Sequence, residues 1–302
     1  MHISTLLRGC MVASLTAVSS FSFAQKVVTT EKTGQLETLI SEAEREKTPS
    51  LRVVGPINGE DIQVIRTMCG RDYSGYESEG TTRTLDLSEA LIKQEAGKNY
   101  LNEQLGFYNR FYAPSADNEI GIKMFYRCEP LREIILPKTT TVIAGQAFDN
   151  CTSLTKCTFF AGLTTIRQYA FRNTKLTNVE LPSTLTAMEN KVFDGCKELT
   201  TVMFTSKAVP TLPDELFSNC PKLKMVIVPQ ESLEAYKAAL KLPEGVTIEG
   251  RAGITAVRSA AASAAVVEVA RFDLQGRRLT QPQKGVNIVH YSNGTTAKVV
   301  VR

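Results

Sequence analysis

Between Leu131 and Val228 the apolar residues come in triplets, a leucine followed by apolar side chains three and five positions on. They are Leu131/Ile134/Leu136, Leu154/Cys157/Phe159, Leu176/Val179/Leu181, Leu199/Val202/Phe204 and Leu223/Val226/Val228. Apolar positions two apart predict a short β-strand with one buried face. Pro137, Pro182 and Pro229 follow three of the strands and close them, because proline has no N–H to donate. A return limb carries one more apolar residue per unit, at Ile143, Ile166, Met188 and Leu212.

Phe125, Phe148, Phe171, Phe193 and Phe217 mark the units, at gaps of 23, 23, 22 and 24 residues. Each unit aims about half a dozen apolar side chains one way and cannot bury them alone, so neighbouring units must stack. A period in the twenties with this content predicts an α/β solenoid of the leucine-rich repeat type, a right-handed βα superhelix. It should have an irregular N-terminal cap and a small all-β C-terminal module. Parallel strands about 4.8 Å apart would form its core.

Cys128, Cys151, Cys196 and Cys220 each stand three residues after a phenylalanine, and Thr174 takes that place in the third unit. The slot therefore accepts small, weakly polar side chains, which reads as a buried ladder of free thiols. The alternative is a disulfide between stacked neighbours such as Cys128 and Cys151. Cys151 and Cys157 do not have a zinc spacing.

Upstream the pattern is less regular. Gln35 to Glu46 has helical spacing, Ser50 to Val54 reads as a strand and Gly55 to Gly59 as a turn. Glu60 to Met68 reads as a second helix, Thr84 to Leu87 as a strand and 70–83 as a loop. Tyr100, Phe107, Tyr108, Phe111 and Tyr112 crowd just before the first full unit, where they would cap the open end of the stack or form an aromatic platform. After Val228, Ser232 to Leu240 predicts a short helix with Leu233, Tyr236 and Leu240 on one face, and Val246 to Ile248 a closing edge strand. Val266 to Leu274, Gly285 to His290 and Ala297 to Val301 predict a β module with a turn at Ser292-Asn293-Gly294. The expected divisions are a secretory signal at 1–24, a capping region at 25–119, the repeats with their C-terminal cap at 120–250, an Ala/Ser linker at 251–265 and the β module at 266–302. The signal rests on Arg8, the apolar run from Gly9 to Phe23 and the small-x-small site Ser22-Phe23-Ala24.

Charge narrows the functional classes. Residues 25–250 hold 26 Lys/Arg against 29 Asp/Glu with no basic run, so no electrostatic footprint for nucleic acid exists there. The surplus of cations lies in 251–302, which has eight Lys/Arg against Glu268 and Asp273. No segment beyond the signal reaches the length of a membrane span.

The unit Phe125-Tyr126-Arg127-Cys128 through Leu131-Arg132-Glu133-Ile134-Ile135-Leu136-Pro137 resembles the BspA-like leucine-rich repeat, as does Phe193 to Phe204. Phe272-Asp273-Leu274-Gln275-Gly276-Arg277-Arg278, Lys284-Gly285-Val286-Asn287-Ile288-Val289 and Lys298-Val299-Val300-Val301-Arg302 are similar to the C-terminal sorting domain of type IX secretion in Bacteroidota. These resemblances imply export to the cell surface, in association with the outer membrane, or to the extracellular space. They also imply adhesion to host extracellular proteins or to other bacterial surfaces.

The chain has two histidines, His2 in the signal and His290 in the β module, so the body has no Ser-His, Cys-His or histidine metal chemistry. No phosphate loop, GxSxG elbow or HExxH motif is present. The expectation is a non-enzyme without cofactor, metal or catalytic residues. Its binding surface would be the concave face, where the strand residues flanking the central apolar one point outward. The pairs are Glu133/Ile135, Lys156/Thr158, Asn178/Glu180, Thr201/Met203 and Met225/Ile227, of which Ile135, Met203 and Ile227 would be exposed apolar groups suited to a protein partner. A structural or assembly role in the cell envelope, or a glycan-directed binding module or enzyme, are the alternatives.

Overall fold

The computed structural model describes residues 25–105, 108–254, 268–273, 277–279, 281, 283–291 and 296–301. The expected signal, most of the expected linker, Phe107 and the Ser292-Asn293-Gly294 turn lie outside the described residues.

The N-terminal region opens with β1 (Lys26–Thr29), α1 (Leu36–Leu39) and α2 (Glu42–Lys47), then β2 (Ser50–Ile57), α3 (Gly59–Met68) and β3 (Thr84–Ile92). The one helix expected over Gln35 to Glu46 is two. Ile40 is extended, and Ser41 restarts the helix through a capping box with Glu44. The turn expected from Gly55 lies instead inside β2. Gly55 has φ +100, and a Cβ there would come within 2.2 Å of the Thr30 carbonyl oxygen, so only glycine lets the preceding chain approach this closely. β3 likewise runs past Leu87 to Ile92. Asp61 fixes α3: its carboxylate accepts from the N–H groups of Gly34, Leu36 and Asn58 at 2.6, 2.8 and 3.0 Å.

β4 (Leu101–Leu105) and β5 (Tyr108–Tyr112) pair antiparallel as the two arms of a hairpin preceded by Tyr100. Its aromatics divide. Tyr100 and Tyr112 are buried, with the Tyr100 hydroxyl donating to the Ile122 carbonyl at 2.6 Å, so these two cap the stack. Tyr108 and Phe111 are 77% and 55% exposed.

The repeats follow as β6 (Glu119–Ile120), β7 (Glu133–Ile135), β8 (Val142–Ile143), β9 (Lys156–Thr158), β10 (Thr165–Ile166), β11 (Asn178–Leu181), β12 (Ala187–Met188), β13 (Thr201–Phe204) and β14 (Met225–Pro229). They make a leucine-rich repeat solenoid with parallel sheets. One series of strands runs β1-β2-β3-β7-β9 and resumes as β11-β13-β14-β15, where β15 is Thr247–Arg251. The second sheet, β6-β8-β10-β12, lines the return limb. The central apolar residues register as Leu51, Leu85, Ile134 and Cys157, then Val179, Val202, Val226 and Ile248. Gln230–Ser232 forms a 3-10 turn leading into α4 (Leu233–Ala239), whose Tyr236 is buried and donates its hydroxyl to the Ser206 carbonyl at 2.9 Å.

The five phenylalanines are piled in single file. Successive ring centroids lie 5.3, 5.1, 5.8 and 6.0 Å apart, with interplanar angles of 8°, 5°, 18° and 9°. Beside them the thiols are free and act as donors, Cys151 to the Phe125 carbonyl, Cys196 to that of Phe171 and Cys220 to that of Phe193. Thr174 fills the same slot with a different partner, its hydroxyl donating to the Phe171 carbonyl of its own coil at 3.0 Å, not to that of the preceding phenylalanine. Cys69, buried in the cap, extends the column, and the neighbouring Cys128 together with burial pushes its thiol well up from the ordinary value.

Among the described residues no α-helix lies between α3 and α4, so the limb that the βα pattern would make helical is built from tight turns. Two residues of each of the first four turns are left-handed, and one of the fifth. Lys123, Gln146, Tyr169 and Lys191 stand two before the phenylalanine, and Arg127, Asn150, Asn173 and Asn219 two after it, all with φ between 56° and 60°. Gly195 completes the second set, where any Cβ would come within 2.2 Å of the Asn173 Oδ1. Alternating handedness turns successive N–H groups along the stack. Phe125, Phe148, Phe171 and Phe193 thus donate to Ala147, Ala170, Val192 and Leu216 of the next coil.

The C-terminal strands β16 (Glu268–Phe272), β17 (Arg278–Leu279), β18 (Gly285–Tyr291) and β19 (Thr296–Val301) form an antiparallel sheet in the order β17-β16-β18-β19. Asn287 is buried there, accepting from the Arg271 guanidinium at 2.9 Å.

Candidate functional site

The strand register sets the ten sequence-predicted residues into two columns. Glu133 pairs with Lys156, and Asn178 with Thr201 and then Met225. In the second column Ile135 pairs with Thr158, and Glu180 with Met203 and then Ile227. Upstream, Thr84 and Asp86 continue the columns at one end; Thr247 and Glu249 do so at the other.

The two halves of this face differ chemically. The N-terminal half is laced with ion pairs, Arg52 to Glu89 at 3.0 Å and Lys156 to Glu133 at 2.6 Å. The C-terminal half shows Thr201, Met203 and Met225, all partly exposed. Ile227 corrects the expectation of an exposed apolar group. It is only 5% exposed, flanked in register by Met203 and Glu249.

Where the halves meet the sheet is broken. β9 pairs only with β7, and β11 only with β13, so no ladder joins β9 to β11. The break falls where one coil is a residue shorter. Six residues separate Phe148 from Leu154, but only five separate Phe171 from Leu176. The tightened turn brings β11 in out of phase. Phe159 aggravates this, since its ring packs edge-on against Phe171 at 5.7 Å and 89° where neighbouring coils have a leucine or proline-bounded strand end.

A cleft of about 350 Å³ opens over this seam. Lys156, Thr158, Asn178, Glu180, Thr201, Met203 and Ile227 of the predicted set line it, together with Cys157, Phe159, Val179 and Arg251. Glu133, Ile135 and Met225 lie on the same face outside it. Cys157, Phe159, Val179 and Arg251 were absent from the sequence-based set. The first three occupy inward positions of the strand pattern, and the missing residue before Leu176 was the signal that this wall would open. Lys156 is held by Glu133, and Arg251 lies 3.7 Å from Glu249. Glu180 is exposed, and its side chain makes no ion pair or hydrogen bond among the described residues.

No group of three or more His, Cys, Asp or Glu among the described residues is placed to hold a metal, and no described helix is long and apolar enough to cross a membrane. Burial holds the Cys196 thiol up at about 11 and the Cys220 thiol at about 12, where neither is a nucleophile at neutral pH.

Residues 118–241 match the BspA type leucine-rich repeat region in 6 copies, and with the stacked coils above this stretch is a run of BspA-type leucine-rich repeats. Similar solved structures include the T. pallidum leucine rich repeat protein, at 24% identity over 57% of this chain and 75% of that one, with TM-score 0.38. A leucine-rich repeat protein from Bacteroides ovatus ATCC 8483 is 18% identical over 68% of this chain and 51% of that one, with TM-score 0.37. A leucine rich cell surface protein from Faecalibacterium prausnitzii A2-165 is 14% identical over 68% and 61%, with TM-score 0.33. No curated protein matches the chain in sequence.

Proposed function

We propose that this chain is an exported, surface-associated solenoid that binds another protein without catalysis, through the outer face of the strand ladder. The observation that carries this reading is the cleft over the seam. It is the point where the ion-paired half of the face gives way to apolar side chains, and a mixed apolar and polar lining of this kind is what protein partners bury. Export is supported by the signal-like pattern at 1–24 and by the resemblance of 266–302 to a sorting domain. A host extracellular or bacterial surface protein is the expected partner.

A photo-crosslinking amino acid placed at Met203 in the full chain tests the face. Capture of one defined partner from host matrix or from bacterial surface preparations, lost in Thr201→Lys/Met203→Lys, supports it. Capture only of proteins from its own envelope would favour a structural or assembly role. Capture from position 108 and not from 203 would move the site to the hairpin, where Tyr108 and Phe111 offer exposed aromatic rings. Mass spectrometry of the C-terminus in surface fractions tests sorting: a chain ending before Glu268 supports removal of the β module.

A further inference from the structure

The walls of the seam cleft differ in how their charges are spent, and that difference selects an occupant. Lys156 and Arg251 are the two cations on the rim. Both have carboxylate neighbours of their own, Glu133 at 2.6 Å and Glu249 at 3.7 Å. Glu180 is the one lining carboxylate, and it has no ion pair or hydrogen bond among the described residues. The charge left to be answered is therefore negative. A phosphate or sulfated glycan would meet that carboxylate first, which disfavours both.

The seam adds backbone groups. β9 and β11 face each other across it without ladder hydrogen bonds, so carbonyl and N–H groups on both edges are left without a strand partner. An ammonium or guanidinium has more N–H donors than one carboxylate can accept, and can spend the remainder on such carbonyls. Next to Glu180 the register places Met203 and then Ile227, with Val179 and Phe159 below, so the surface turns apolar within one strand spacing.

We infer that the seam cleft takes an extended protein segment that sets a lysine or arginine against Glu180 and, two residues along, an aliphatic side chain on Met203. The inference rests on the reading of this face as the binding surface. Strands in the ladder are about 4.8 Å apart, and side chains on one face of an extended segment recur every ~6.6 Å. A segment crossing the strands with its cation at Glu180 therefore drops its next same-side residue between Met203 and Ile227. The mode is strand-like in its alternation, with every second side chain entering a subsite.

Three fluorescein-labelled nonapeptides test this against the full chain by anisotropy. All are flanked by Gly-Ser, and their centres read Lys-Thr-Leu, Glu-Thr-Leu and Lys-Thr-Ser. The expected result is binding of the first, at least tenfold weaker binding of the other two, and loss of at least tenfold for the first in Glu180→Lys. Glu180→Lys should at the same time improve the Glu-Thr-Leu peptide. Glu180 is exposed, so the variant should keep the parent's Tm, which is checked first. Equal affinity for Lys-Thr-Leu and Glu-Thr-Leu, or indifference to Glu180→Lys, overturns the charge assignment while leaving the face a binding surface. Failure of every peptide overturns the extended-segment assignment, and the crosslink at position 203 then decides separately whether the face binds a folded partner.

Discussion

The Arg172 guanidinium grips the fully buried Asp149 carboxylate from one coil further along, its Nε and Nη2 donating at 2.9 and 2.6 Å. Arg172 also lies 4.5 Å from the centre of the Tyr169 ring, and the hydrogen-bonded Asp149 carboxylate makes the guanidinium hold its proton still more tightly than usual. Asp149 precedes β9 and Arg172 precedes β11, so this clamp joins the two coils whose long strands do not pair. The second sheet runs unbroken past the same point through β8, β10 and β12. The stack is therefore closed on the turn side and open on the strand side.

Arg172→Ala should strand a buried carboxylate and cost about 2–4 kcal/mol, below the full value for a buried pair because the arginine is partly exposed. Asp149→Asn/Arg172→Gln should lose less than Arg172→Ala alone. Urea unfolding of the single and double variants gives the coupling directly, and additive losses would mean that the clamp contributes nothing of its own.

Phe171 sits mid-file between Phe148 and Phe193 and also receives the edge of Phe159. Phe171→Ala should cost about 3–5 kcal/mol. Because coils couple only to neighbours, hydrogen exchange should rise first in 145–200, with 84–92 and 225–229 following later. A uniform rise across the chain would contradict this.

The seam itself can be closed on paper by restoring the missing residue. Inserting a proline between Lys175 and Leu176 reproduces the Glu129-Pro130-Leu131 spacing of the first unit. The insertion should bring β11 into phase with β9, slow amide exchange over 178–181, and abolish binding of the Lys-Thr-Leu peptide. Unchanged exchange would show that Phe159, and not the short turn, parts the strands.

Most of the fold is legible because each coil repeats the same local solution. The phenylalanine file, the thiol column with its threonine substitute, and the strand triplets can all be read from spacing. What escaped is what depends on phase or close approach. The 22-residue gap is visible, but whether one missing residue is absorbed by a turn or breaks a ladder depends on how the neighbouring coil is seated. Gly55 looks like a turn signal, and only its contact with the Thr30 carbonyl shows that it lets a strand pass. Asn150, Asn173 and Asn219, each two after a phenylalanine, marked left-handed turns. Asparagine tolerates that conformation better than most residues, so the non-helical limb had a signal in the sequence. The site was readable as a face but not as a cleft. Ile227 appeared exposed by alternation because no sequence rule says that Met203 and Glu249 flank it so closely.

The thiol column predicts a pH dependence of definite sign. Burial raises Cys196 to about 11 and Cys220 to about 12 from an ordinary 9.0. The unfolded chain gives up these protons first, so the folded state binds more protons and stability must fall as pH rises. The loss should begin near pH 9 and continue to about pH 11–12. The urea midpoint should drop across that window, and drop less in Cys196→Ala/Cys220→Ala. An equal drop in that variant would assign the effect to other groups, such as the buried Tyr236, whose hydroxyl is also raised by burial.

The alternating left-handed turns have one more effect. Since the phenylalanine turns pass amide hydrogens to the carbonyls of the next coil, and the strands and return limbs pass theirs to the one before, any coil is an acceptable neighbour for any other of matching length. Duplication or deletion of a whole unit then lengthens or shortens the molecule while keeping side chains in their rows. The loss of a single residue ahead of a strand does not, and leaves a permanent parting such as the one between β9 and β11. Copy number can drift freely in such a scaffold, whereas a small slip in counting marks one fixed place along it.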